Sequence, residues 1–235
     1  MDFFNLQPGE WQALLLTLKV ASAALAVALP LAVLMAFVLA RYRFTGHGAV
    51  NALVHLPLVL PPVVTGYVLL LTFGRKGPVG SFLDSVFGVT FAFNWTGAAL
   101  AAGVMAFPLM VRPIRISFEA VDPKLEEAAK SLGAHRLTAF LTVTLPLALP
   151  GILGGAILGF AKAMGEFGAT ITFVSNIPGE TRTLSLALYT ATQTPGGELA
   201  AFRLTLIAAF VAFAALITSE ALARRLRARM GGGHA

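Results

Sequence analysis

The sequence predicts an all-α polytopic membrane protein with about five membrane-spanning helices. Of its 235 residues, 57% are hydrophobic and only 12% are charged, whereas a soluble domain carries roughly 25% charged residues. Four segments free of Asp, Glu, Lys and Arg each reach the ~20 residues that a spanning helix needs; they are 20–40, 44–74, 85–111 and 137–161. A fifth segment, 204–219, is long enough when Arg203 and Glu220 lie at the two interfaces. These observations exclude a soluble globular protein.

The first two spans are predicted to contain prolines. The first covers residues 11–40, with a kink at Pro30. Three prolines fall in the second span, within 44–74: Pro57, Pro61 and Pro62. Each proline lacks a backbone donor, and an interrupted helix is tolerated in a membrane only where neighbouring helices or a wet cavity satisfy the freed carbonyl groups. We therefore expect the second span to be broken.

The next two spans are rich in small residues. The third is predicted over 96–111, where early glycine and alanine residues let another helix approach closely, and Pro108 and Pro113 mark its end. The fourth is predicted over 145–176. It is broken by one proline and four glycines: Pro150, Gly154, Gly155, Gly165 and Gly168. A straight, uniform helix is not expected there.

The fifth span, over 204–219, follows a loop with a weakly amphipathic middle. This part of the loop, 184–192, is predicted to lie along the surface or to dip partway into the membrane. The chain shows no domain boundary and no internal repeat. Residues 1–235 are therefore predicted to form a single transmembrane domain.

The basic residues predict how the chain is oriented. Eleven of the seventeen Lys and Arg residues fall after the first span, at the end of the third, before the fourth or after the fifth: Arg41, Arg43, Arg112, Arg115, Lys124, Lys130, Arg136, Arg224, Arg225, Arg227 and Arg229. Basic residues concentrate in cytoplasmic loops, so we expect the N-terminus outside and the C-terminus inside. Trp11 and Trp95 then lie at the outer interface. The terminal arginine cluster is interpreted as a membrane anchor and not as a nucleic-acid site.

The sequence offers little support for an enzyme. It has no cysteine, and its four histidines are too scattered to suggest a metal site. A membrane-embedded enzyme would need clustered acids, histidines or a nucleophile at membrane depth, and only Glu166 qualifies. We therefore expect no catalytic residue and no metal, with an enzyme or a channel as remote alternatives.

One ionisable pair, Lys162 with Glu166, lies inside the predicted spans and shares a helix face at i, i+4. The pair either lines a path for a charged solute or is a structural ion pair, and the sequence leaves both open. Hydroxyl and amide side chains follow it near flexible glycines: Thr170, Thr172, Ser175 and Asn176. Such donors suit a passing oxyanion, because a transporter must bind weakly enough to release. The alternative is that each hydroxyl bonds back to a helix carbonyl.

The only substantial polar segment, about 122–135, lies between the third and fourth spans. Helix-forming residues end at Gly133, a common helix stop, so a short cytoplasmic helix is predicted. This segment and the start of the fourth span contain a spaced set of residues. Three residues separate Glu127-Ala128-Ala129 from Gly133, nine separate Gly133 from Val143, and one separates Val143 from Leu145-Pro146.

This spacing resembles the EAA motif of ABC-importer permeases. The resemblance implies a coupling helix that docks in a groove of a cytoplasmic ATPase, with Gly133 permitting the sharp turn after it. The coupling residues that it implies are Glu126, Glu127, Ala128, Ala129, Gly133 and Pro146.

Residues 160–198 are also similar to the corresponding stretch of the molybdate-transporter permease family, which the whole chain resembles in length and span order. Sulfate and thiosulfate permeases share the Gly-Glu-Phe-Gly core at 165–168 but less of the following loop, and they remain the alternative. The resemblance implies a type I ABC-importer permease fold in a bacterial cytoplasmic membrane, importing molybdate or tungstate by alternating access. It further implies no cofactor, a second copy of the permease, two ATPase subunits that hydrolyse ATP, a soluble oxyanion-binding protein and a surrounding of membrane lipid.

Overall fold

The computed structural model describes the backbone of residues 7–231 and their side chains, except those of 219–220 and 222–231. All regular structure in this part of the chain is helical. The first half contains α1 Pro8–Arg41, α2 His47–Val59, α3 Pro62–Phe73, α4 Pro78–Phe87 and α5 Trp95–Ala120. The second half contains α6 Pro123–Ser131, α7 Arg136–Ala139, a π-helix Phe140–Thr144, α8 Leu145–Met164, α9 Gly168–Val174, α10 Leu184–Gln193 and α11 Glu198–Gly231.

The prediction of about five spans is confirmed. Four helices are long and apolar enough to cross a membrane: Pro8–Arg41, Trp95–Ala120, Arg136–Met164 and Glu198–Thr218. By length and composition, the bent pair α2 and α3 together qualifies as a fifth span, and the two helices are bent by 115° relative to each other. The break falls at Leu60 and Pro61, between the C-cap of α2 and the N-cap of α3, as the prolines of this segment predict.

The bundle is built around α5, which packs against α1, α2, α3, α8 and α9. Alanine side chains on α5 are fully buried at Ala98, Ala101 and Ala102. On α8, a Cβ added at Gly155 would lie 2.9 Å from the Met110 carbonyl oxygen of α5, and one added at Gly159 would lie 2.6 Å from the Met110 sulfur. Small residues on both helices therefore allow the close approach that the composition of the third span predicts.

The predicted limits of two spans are wrong. The third span does not end at Pro108 and Pro113, because α5 continues through both prolines to Ala120. The fourth span begins earlier than predicted, at Arg136, and α8 ends at Met164. Residues 168–174 form the separate helix α9, which packs on α3 and α5.

The reason for these differences lies in the type of residue at each position. A proline removes one hydrogen bond from a long helix whose other bonds are intact, so α5 and α8 tolerate Pro108, Pro113 and Pro150. At Gly165, by contrast, the chain stops the helix, and the next helix starts only at Gly168. The predicted break of the fourth span therefore occurs between Gly165 and Gly168. The helix is continuous at Pro150, Gly154 and Gly155.

The two ends of the bundle differ in character. At one, which we call the basic end, the Arg41 side chain at the end of α1 donates to the Val121 carbonyl oxygen after α5, at 3.1 Å. At the other, the distal end, the Lys19 ammonium lies 3.7 Å from the centroid of the Trp95 ring. The side chains of the predicted anchor lie outside the described residues: Arg224, Arg225, Arg227 and Arg229.

We predict that Gly155→Ala destabilises the bundle, by about 1–3 kcal/mol for an overpacked contact, because the new methyl group meets the α5 backbone. Gly154→Ala is the matched control, since a Cβ there meets nothing within 4 Å. Thermal unfolding of the two purified variants in detergent measures the difference. Equal midpoints would contradict the close approach of α5 and α8.

Candidate functional site

The predicted coupling segment folds as the exposed helix α6 at the basic end. The Asp122 carboxylate caps its N-terminus by accepting a hydrogen bond from the Lys124 backbone N–H at 2.9 Å, and Pro123 occupies the first turn. Gly133 adopts φ +94°, a left-handed conformation that favours glycine. The Ala134 N–H then donates to the Ala129 carbonyl oxygen at 3.0 Å, which completes the helix stop.

Glu126 ties α6 to the spans. Its carboxylate lies 3.4 Å from the Arg41 guanidinium at the end of α1 and 3.7 Å from the Lys130 ammonium one turn along α6. The same carboxylate accepts a hydrogen bond from the Thr144 hydroxyl, at the junction of the π-helix and α8. One side chain therefore connects the polar helix to the first and fourth spans.

The other face of α6 is open. Glu127 and Ala128 are exposed, Ala129 is half-buried, and Leu132 is 90% exposed. Leu125 on the same helix is 47% exposed. Apolar and acidic side chains without cover on a short helix at the end of the bundle form a surface suited to a protein partner.

Pro146, the last predicted coupling residue, lies in the first turn of α8 and not on α6. It lies two residues after Thr144, whose hydroxyl donates a hydrogen bond to the Glu126 carboxylate. Its place is therefore the start of the span to which α6 is bonded.

The Lys162–Glu166 pair exists, with the ammonium 2.8 Å from one Glu166 carboxylate oxygen. The other carboxylate oxygen accepts a hydrogen bond from the Ala169 N–H at 3.0 Å, in the first turn of α9. The Glu166 side chain is 2% exposed and that of Lys162 is 30% exposed. Glu166 thus bridges the end of α8 and the start of α9, while Lys162 reaches the surface of the chain.

The remaining predicted path residues do not share one surface. Thr170 is buried, and the Thr172 hydroxyl bonds back to the Gly168 carbonyl oxygen at 2.9 Å. Ser175 is exposed, with φ +65°, at the C-cap of α9. Asn176 donates to the Thr190 hydroxyl at 2.8 Å and accepts from the Arg182 side chain at 2.9 Å, which fixes the following loop to α10.

Two buried contacts at the distal end were not predicted. The Arg203 guanidinium lies 2.9 Å from the Glu10 carboxylate, which joins the start of α11 to the start of α1. The Thr17 hydroxyl accepts from the Leu184 N–H at 2.8 Å and so caps α10. The partners of these two contacts are separated by 193 and by 167 positions in the sequence. Nothing in the local sequence indicates such pairing.

No group of three or more His, Cys, Asp or Glu side chains in the described part of the chain could hold a metal ion. Several spanning helices, with an exposed polar helix at one end, define a polytopic membrane protein. The chain belongs to the family of binding-protein-dependent transport system inner membrane components, whose pattern matches residues 1–230.

The curated relatives agree with this class. The chain is 57% identical over 222 residues to the molybdenum transport system permease protein ModB of Escherichia coli K12, covering 94% of this chain and 97% of the relative. It is 51% identical to the Haemophilus influenzae protein of the same name, covering 96% and 98%. The sulfate transport system permease protein CysT of Salmonella typhimurium is more distant, at 39% identity over 68% of this chain and 57% of that protein.

The solved structures show the same fold. A bacterial ABC transporter that imports the acidic polysaccharide alginate aligns with a TM-score of 0.76 at 18% identity, covering 96% of this chain and 83% of its own. The same kind of transporter in complex with an alginate-bound periplasmic protein aligns with a TM-score of 0.74, covering 94% and 80%. The predicted type I ABC-importer permease fold is confirmed.

We predict that Lys162→Met destabilises the chain more than Glu166→Gln does. Lys162→Met leaves a buried carboxylate without its cation. Breaking a fully buried pair in this way costs roughly 3–5 kcal/mol, and we expect less here because Lys162 is 30% exposed. Glu166→Gln leaves only a partly exposed ammonium and keeps an acceptor for the Ala169 N–H. Thermal unfolding of both variants and of the double variant measures the order.

The double variant is expected to be more stable than Lys162→Met alone, because it contains no uncompensated charge. If Lys162→Met and the double variant unfold at the same temperature, the uncompensated Glu166 carboxylate is not what destabilises Lys162→Met.

Proposed function

We propose that this protein is the transmembrane subunit of an ATP-driven importer that carries molybdate, or the similar tetrahedral dianion tungstate, into the cytoplasm. The observation that carries the proposal is the 57% identity to a molybdenum permease along nearly the full length of both chains. The sulfate permease is less similar and matches a smaller part of this chain. Sulfate or thiosulfate transport is therefore the second candidate, supported by the shared 165–168 core.

We infer an assembly of two copies of this chain, two cytoplasmic ATPase subunits and a soluble oxyanion-binding protein. The family name supports the binding protein, and one structural neighbour was solved with a periplasmic protein bound. ATP hydrolysis then belongs to the partner subunits, and the membrane is the bacterial inner membrane.

The orientation follows from the charges. Arg41, Lys124 and Lys130 lie together at the basic end with α6, and such residues favour the cytoplasmic side. These charges support an orientation with the N-terminus and the distal end outside and with α6 on the side of the ATPase. The C-terminus is inside on the same basis.

The coupling step is mechanical. Closure of the ATPase subunits on ATP moves α6, and Glu126 passes this movement to α1 through Arg41 and to α8 through Thr144. The spans then alternate between inward and outward access, which requires that substrate or binding protein favours one of the two states.

The distal part of the path is assigned to the segment 162–176. Because Glu166 is used in joining α8 to α9, the Lys162 ammonium is the member of the pair available to an anion. Ser175 is exposed and is the second available group, whereas Thr170, Thr172 and Asn176 mainly hold the local structure.

The proposed substrate is tested by uptake into vesicles that contain the complete importer and its binding protein. We expect radiolabelled molybdate to accumulate only with ATP, and unlabelled tungstate to compete as well as unlabelled molybdate, because both are tetrahedral dianions. Sulfate is expected to compete at least tenfold more weakly. ATP-dependent uptake of sulfate that exceeds that of molybdate would establish the second candidate instead.

The docking surface is tested with Leu132→Asp and Glu127→Arg, which change exposed side chains of α6. We expect at least a tenfold loss of ATPase co-purification and of coupled ATP hydrolysis, with unchanged yield of the permease. Phe87→Asp is the matched control, since Phe87 is an exposed apolar residue on α4, away from α6. Full co-purification of the ATPase with both α6 variants would remove α6 from the docking surface.

A further inference from the structure

A polar pocket lies between α2 and α5. It encloses about 430 Å³ and is lined by Asn51, His55, Arg112, Arg115, Ile116 and Glu119. On α2, Asn51 and His55 are four positions apart. On α5, the other three lining residues lie three, four and seven positions after Arg112. Such residues share one face of a helix, so a polar face of α2 meets a polar face of α5.

The fixed part of the pocket is a small hydrogen-bonded cluster. Arg115 donates to the Asn51 side-chain oxygen at 3.0 Å and to the Glu119 carboxylate at 2.7 Å. The His55 Nδ1 donates to the Asn51 carbonyl oxygen at 2.8 Å. Glu119 is therefore neutralised within the cluster, and Arg115 is held in one position by both helices.

Arg112 is different, because it is exposed and makes no hydrogen bond or ion pair with any residue that the structure describes. It lies eight residues, or about 12 Å of helix, before α5 ends at Ala120. The end of α5 is level with Arg41, a basic residue that belongs at the interface.

An arginine at this depth has to face water. On an insertion scale, an arginine costs roughly 2.5–3.5 kcal/mol at the centre of a spanning helix and less toward an end, and such residues face a bundle interior or a water-filled cavity or extend to the interface. The pocket beside Arg112 supplies that cavity. We therefore expect water in the pocket between α2 and α5.

We propose that the pocket between α2 and α5 binds a tetrahedral divalent oxyanion, with Arg112 as the free cation and Arg115 as the fixed cation. This inference rests on the proposed function and deepens it, because it places an anion site on the inner half of the path. Arg112 and Arg115 together with Glu119 give the pocket a formal charge of +1. A dianion held there is attracted but not fully neutralised, which suits a site that must release its ligand.

The first test is transport. Arg112→Gln is expected to lower molybdate uptake by the complete importer at least tenfold, and Arg112→Lys, which keeps the charge, to stay within threefold of the wild type. Arg43→Gln is the matched control, since it removes an exposed arginine near the basic end that is not in the pocket. Equal uptake by Arg112→Gln and Arg43→Gln would overturn the proposal.

The second test does not depend on uptake. The chain has no cysteine, so Ile116→Cys introduces a single thiol into the pocket. In the complete importer in phosphatidylcholine nanodiscs, a negatively charged thiosulfonate reagent is expected to modify it at least tenfold faster than Leu34→Cys, an exposed apolar position of α1 outside the pocket. Molybdate is expected to slow the modification at least threefold, and chloride of equal ionic strength is not.

The outcomes separate the sources of the ligand chemistry. Protection by molybdate in phosphatidylcholine supports a free oxyanion site. Protection that requires phosphatidylglycerol and is unaffected by molybdate would assign the pocket to a lipid phosphate and overturn the proposal. Equal modification of Ile116→Cys and Leu34→Cys would show that the pocket is not wet.

The proposed function is judged separately. If the wild-type importer takes up molybdate but neither uptake nor labelling depends on the pocket, only this inference fails. If the wild-type importer carries another oxyanion in place of molybdate, the proposed substrate fails, and the same labelling with that oxyanion still tests the pocket.

Discussion

The structure depends on how closely its helices approach α5. Between membrane helices, association comes from packing and polar contacts, since lipid is as apolar as the side chains. Alanines along α5 and glycines on the facing side of α8 remove the side chains that would hold the backbones apart. The same device recurs where the broken span meets α9, because a Cβ at Gly66 would lie 2.5 Å from the Ala169 carbonyl oxygen. The short helices α3 and α9 are therefore held by contact with each other and with α5.

Charged side chains then fix the two ends of this scaffold. At the distal end, the buried pair Glu10–Arg203 joins the first span to the last. At the basic end, Arg41 and Glu126 join the first span to α6. Charges are costly inside a membrane unless they are paired, so each of these contacts is specific to one arrangement of helices. Arg112 lacks such a partner among the described residues, and this difference is what distinguishes the α2–α5 face.

Much of the fold could be predicted from the sequence, because span length, proline breaks and the Gly133 stop are local properties. The extension of α5 through Pro108 and Pro113 could not be, since it depends on packing against neighbouring helices that outweighs one lost hydrogen bond. The candidate site likewise contains one feature that the sequence predicts and one that it does not. The Lys162–Glu166 pair follows from i, i+4 spacing, but the role of Glu166 in capping α9 follows from a turn at 165–167 that spacing does not specify.

On the proposed function, the contacts themselves indicate how movement at α6 reaches the opposite end of the bundle. Glu126 bonds to Thr144, and α8 continues from Leu145 as an unbroken helix of about 30 Å. At its end, Glu166 holds the first turn of α9, which packs against α3 in the broken span. A helix transmits displacement along its length, whereas the chain turns at 60–61 and 165–167 allow rotation without the loss of helical hydrogen bonds. On this proposal α8 is the rigid element, and we expect the inward and outward states to differ in backbone conformation at the two breaks.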